Sequence, residues 1–147
     1  MQSRVDQVMD NFLDGYNCCQ SIFSTYSNIH GINRETALML TSGMGGGVGH
    51  SGEICGFVNA ACLLLGLKHG TDVPESKLTV FPICLEFCDA FAEKYGSVNC
   101  KGIIKRDIRT VEAMIKAKEE GVFTEICEGC GRFAAELLET KYDILNK

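Results

Sequence analysis

The chain has 147 residues, 9 of them cysteine, and carries a net charge of −5. That length suits one compact domain and is short for two, and 46% hydrophobic residues with only 2 prolines exclude a disordered chain. A pI near 5.2 and the absence of Trp argue against a nucleic-acid partner.

Apolar spacing at Val5, Val8, Phe12 and Leu13 predicts a first helix. Asn17 then reads as a cap, with Gln20 at the capping-box position, for a helix carrying Ile22, Phe23 and Tyr26 and ending near Gly31. Asn33 starts a short helix through Leu40. After a glycine run at 43–49, Ser51 or Gly52 opens a helix over about 52–67. It is apolar on nearly every side, so it is expected at the buried centre. Residues 71–75 start another helix to about Tyr95, which Pro82 should kink or split. Asn99 caps a helix carrying Ile103, Ile104 and Ile108. A helix from Thr110 to Lys118 and a last one from Thr124 to about Leu145 complete the chain. No period-2 run of β-branched residues occurs. The expectation is all-α: a compact single-domain bundle, residues 1–147, of five to seven helices around segment 52–67.

The N-terminus lacks a basic segment followed by an apolar one, so no secretory signal is expected. The most apolar run, 54–67, is shorter than the ~18–20 residues that span a bilayer. The chain is therefore expected in the cytoplasm, where thiols are kept reduced. There, a cysteine excess points to redox chemistry or metal ligation rather than permanent staples.

Four cysteines fall at expected helix starts. Cys18 follows Asn17, Cys55 lies in the turn after Ser51 and Gly52, Cys100 follows Asn99, and Cys127 lies in the turn after Thr124. Unpaired backbone N–H groups and the positive end of the helix dipole stabilise a thiolate at such positions. A lowered thiol pKa raises the fraction of the form that attacks disulfides and binds metal. The other five, Cys19, Cys62, Cys84, Cys88 and Cys130, are expected to pack, although Cys127 and Cys130 form a C-x-x-C.

Asn17-Cys18, the run Gly45-Gly46-Gly47-Val48-Gly49, Gly52-Glu53-Ile54-Cys55-Gly56, Asn99-Cys100 and Cys127 with Phe133-Ala134-Ala135-Glu136 resemble the C_GCAxxG_C_C family. The resemblance implies a redox role for the four motif cysteines. Where the family has C-G-A-x-x-G, this chain reads Cys55-Gly56-Phe57-Val58-Asn59-Ala60. Gly56 and Ala60 keep two small residues one turn apart, which lets another backbone come close.

The first reading is thus a thiol redox protein, of the thiol-disulfide oxidoreductase type, with an unidentified redox partner. Cys18, Cys55, Cys100 and Cys127 would cluster, with Cys55 as nucleophile because the glycine run precedes it. Gly46 and Gly47 would form an anion-binding nest beside Cys55, and His50 would serve as base or ligand. The alternative uses the same four thiolates to ligate zinc or an iron–sulfur cluster. A third reading is a non-catalytic helical interaction module with inert cysteines. The glycine run also fits G-x-G-x-x-G, but no βαβ unit surrounds it.

Overall fold

Asn17 starts the element whose local chemistry is plainest. Its side-chain oxygen accepts from the Gln20 N–H at 2.9 Å, and the Gln20 side chain accepts from the Asn17 N–H at 3.0 Å. This capping box opens α2 (Cys18–Tyr26). The Asn17 amide also donates to the carbonyls of Thr41 and Ser42, both at 3.1 Å. The start of α2 is thereby tied to the end of the short helix that follows it, residues 34–40, and to the entry to the glycine run.

A computed structural model describes residues 1–147 and contains eight α-helices and no strand. The others are α1 (Val5–Leu13), α3 (Arg34–Leu40), α4 (Gly56–His69), α5 (Lys77–Tyr95), α6 (Cys100–Ile104), α7 (Val111–Glu119) and α8 (Glu128–Thr140). α4 is the hub: α2, α5 and α8 all pack on it, and α1 closes against α2 and α8. Phe57, Val58, Ala60, Ala61, Leu64 and Leu65 of α4 are buried in a cluster of 31 core residues. No helix is long and apolar enough to cross a membrane.

The all-α expectation holds, with eight helices rather than five to seven and with differences at the element ends. The central helix begins at Gly56 rather than near residue 52. Gly52 has φ +80°, and the Cys55 N–H is bonded to the Val98 carbonyl, so residues 52–55 pair with another segment instead of starting a helix. Pro82 does not split α5, which runs through it, and the proline lies on the exposed side. α6 stops at Lys105, which is left-handed at φ +57°, so Ile108 is buried outside any helix. The last helix is entered through a π-turn, Phe123–Cys127, and ends at Thr140, before buried Tyr142, Ile144 and Leu145.

Phe57, which departs from the family motif, has a specific seat. Its ring lies 5.6 Å from that of Phe12. A Cβ placed on Gly131 of α8 would come within 2.8 Å of Phe57 Cζ and 2.7 Å of Met9 Cε. The larger residue on α4 is accommodated by the missing side chain on α8. Gly131→Ala should therefore cost about 1–3 kcal/mol of stability by overpacking. In chemical denaturation, Phe57→Ala combined with Gly131→Ala should lose less than the sum of the two single losses. Strict additivity would contradict this pairing.

Candidate functional site

Two backbone contacts bring the distant cysteines together. Where α2 crosses the start of α4, Gly56 has no room for a side chain. A Cβ there would meet Cys18 Cβ and the Cys19 backbone N, both at 2.8 Å. This close approach sets Cys18 beside Cys55. The second contact is a short antiparallel clip between residues 52–55 and 98–101, centred on an Ile54–Asn99 bridge. The Cys55 N–H donates to the Val98 carbonyl at 2.8 Å and the Cys100 N–H to the Glu53 carbonyl at 2.7 Å. Cys55 and Cys100 are thus held at neighbouring positions.

α6 packs on the π-turn, which carries Cys127 to the same place. Cys18, Cys55, Cys100, Cys127 and Cys130, with Gly46, Gly47, Gly56, Ile103 and Ile104, line one narrow cavity of about 10 Å³. That volume is on the scale of a single water. All five are free thiols, and four of them are buried; Cys18 as a residue is half-buried, yet its thiol faces this crowded interior.

Burial controls their ionisation. It pushes the Cys18 thiol well above its ordinary value, and repulsion from Cys55, Cys127 and Cys100 adds to the rise. Burial also takes Cys55 up to about 12 and Cys130 to about 11, and raises Cys100 and Cys127. The nearby N–H groups of Phe57 and Val58 oppose the rise, although neither closes a cap hydrogen bond and the Val58 N–H donates to the Cys55 carbonyl oxygen. The expectation of acidified thiols at helix starts is therefore corrected. Cys18 and Cys100 are first residues of helices and Cys55 is the residue before one, but desolvation of the charged form outweighs the dipole. Cys127 has no open helix start at all, because the π-turn continues into α8 with helical dihedrals.

Cys130 joins the site rather than packing apart from it. It is one turn beyond Cys127 and lies near the Tyr95 hydroxyl, which opposes the rise that burial imposes on it. The C-x-x-C spacing was the available signal; nothing in the sequence pointed to Tyr95.

The glycine run is not a slack loop. Gly46, Gly47, Val48, Gly49 and His50 are all left-handed, with φ between +58° and +70°. A Cβ on Gly47 would strike the Glu53 backbone, which explains glycine there. The N–H groups of residues 49–53 are taken up by backbone carbonyls between Gly43 and Val48. Gly46 and Gly47 form part of the cavity wall. His50 does not line the cavity. Its ring presses on Gly46, and its Nδ1 is buried without a hydrogen-bond partner.

Fold and site together define an all-helical protein with a buried cluster of cysteine thiols. The family described as “Putative redox-active protein (C_GCAxxG_C_C)” matches residues 16–141. The chain belongs to that C_GCAxxG_C_C family. No curated protein and no solved structure matched it in the corresponding comparisons.

For zinc or an iron–sulfur cluster the fit is poor. No group of three or more His, Cys, Asp or Glu side chains is arranged to hold a metal ion, and the cavity is water-sized.

The raised thiols have a stability consequence. In the folded chain Cys55 keeps its proton up to about pH 12, whereas an unfolded thiol loses it near 9.0. Its contribution is fully present below the unfolded value and is lost as pH climbs toward the folded one. Reduced protein should therefore weaken above about pH 9, by about 1.4 kcal/mol per pH unit for each such thiol. In urea unfolding, Cys55→Ser should show a shallower alkaline slope than wild type. Parallel slopes would contradict the assignment.

Proposed function

We propose that the buried cluster is a two-electron thiol/disulfide centre, with Cys18, Cys55, Cys100 and Cys127 as its working residues and Cys130 as a fifth member. One observation carries the reading: thiols from α2, the start of α4, α6 and the π-turn into α8 line one small cavity. The family's description, “Putative redox-active protein”, is consistent with it. Cys55 is the attacking thiol, because two nearby backbone N–H groups oppose the rise that burial imposes on it.

The chemistry balances as thiol–disulfide exchange. Cys55 gives up its proton and attacks one sulfur of a partner disulfide, forming a mixed disulfide and releasing one partner thiolate, which takes the proton. A second cluster thiol then attacks the Cys55 sulfur and releases the other partner thiol. Two cysteine thiols lose two electrons and two protons, and the partner disulfide gains both.

The cluster's environment also sets the direction of transfer. A dithiol whose thiolates are stabilised is a strong oxidant when oxidised. Here burial and mutual repulsion disfavour the thiolates, so the pair is poised as an electron donor.

The test is a redox titration of anaerobically purified full-length protein, with linked peptides mapped by mass spectrometry. The proposal expects a disulfide within the five-cysteine set and a potential below about −200 mV. Cys55→Ser should abolish transfer to a disulfide substrate. Cluster thiols that stay unlinked under oxidising conditions would overturn it. So would stoichiometric zinc or iron on the purified protein, which would favour metal ligation.

A further inference from the structure

A second thiol cluster lies at the seam where α4 meets α5, outside the cavity just described. Cys62 sits on α4, and Cys84 and Cys88 sit one turn apart on α5. None of the three lines the buried cavity. All three are free and half-buried, whereas four of the five cavity cysteines are buried. The Cys62 thiol lies close enough to Cys84 and Cys88 to interact with both where α4 packs on α5. The Cys84 sulfur also reaches back to the Cys62 carbonyl oxygen at 3.9 Å. Cys62 is thus the shared neighbour of two thiols on the facing helix.

Packing alone does not account for the arrangement. Three partly accessible thiols gather along one helix–helix seam, with the Cys84 sulfur against the backbone of Cys62. We propose that Cys62 and Cys88 form a second, surface-accessible dithiol that is oxidised by small organic disulfides and, once oxidised, fastens α4 to α5. Because the thiols are half-buried in a seam, a small reagent can reach them without a docked protein partner.

The roles within the pair follow from their contacts. Cys84 donates to the Cys62 carbonyl oxygen, which holds it as a thiol and leaves Cys88 as the attacking residue, with Cys62 resolving. Contact with Cys62 also holds Cys88 below its ordinary thiol value, in keeping with that order. Cys88 thiolate attacks one sulfur of R–S–S–R, giving Cys88–S–S–R and R–S⁻, which takes up the proton Cys88 had lost. The Cys62 sulfur then attacks the Cys88 sulfur. A Cys62–Cys88 disulfide forms, and the second R–S⁻ leaves with the Cys62 proton. Two cysteine thiols are oxidised by two electrons and one small disulfide is reduced to two thiols.

The experiment treats full-length reduced protein with cystamine under native conditions, quenches with an alkylating agent and maps linked peptides. A Cys62–Cys88 link is expected. Cys62→Ser should lose the link and trap a cystamine adduct on Cys88. Cys88→Ser should lose both link and adduct, and Cys84→Ser should keep the link. A Cys62–Cys84 link, or an adduct trapped on Cys84, would overturn the assignment. So would links confined to Cys18, Cys55, Cys100, Cys127 and Cys130, although the buried centre would then still stand. The converse, a seam link with the buried cluster unreacted, would support this dithiol while counting against the buried centre.

Discussion

The close approach of α2 to α4 at Gly56 is the contact on which the site depends. Cys18 Cβ and the Cys19 backbone N occupy the space a side chain at residue 56 would need. Remove that approach and Cys18 moves away from Cys55. The Asn17 cap supports it from the other side, since its amide ties α2 to the carbonyls of Thr41 and Ser42. Gly45 continues the same packing, because a Cβ there would lie 2.7 Å from Asn17 Cβ. The clip between 52–55 and 98–101 then adds Cys100 through backbone hydrogen bonds alone. The site is assembled mainly by main chain, with side chains free to carry sulfur.

The same crowding decides the chemistry. Thiols enclosed by one another and by Ile103 and Ile104 are poorly solvated, so their charged forms are disfavoured whichever end of a helix they occupy. Burial thus favours the protonated form of the cluster thiols. In the seam, Cys62 and Cys84 are raised as well, and Cys88 alone is lowered, by its neighbour Cys62. All three seam thiols are half-buried, so that site is more open than the buried cavity.

Much of the helical layout was legible in the sequence. Asn17 with Gln20, Asn33 and Thr110 each cap a helix with the expected side-chain bond. Asn99 holds the cap position without such a bond. The early start assigned to the central helix failed because residues 52–55 satisfy their backbone by pairing with a segment more than forty residues away, which no local pattern encodes. Pro82 failed as a breaker because tertiary packing of α5 on α4 outweighs one lost helical bond. The four motif cysteines were legible by position, and the structure brings them together. Cys130, Tyr95 and the Cys62–Cys84–Cys88 cluster were not, because each depends on which helix faces which. The sign of the thiol shifts was missed for a related reason: helix position is local, whereas burial is a property of the whole fold.

Replacing Gly56 with alanine tests the central claim most directly, read as the rate at which Cys18 enters a disulfide during controlled oxidation. The account predicts at least about a tenfold slowing at Cys18, equivalent to about 1.4 kcal/mol, with oxidation at Cys62 and Cys88 unchanged. An unchanged rate at Cys18 in a folded Gly56→Ala protein would contradict it.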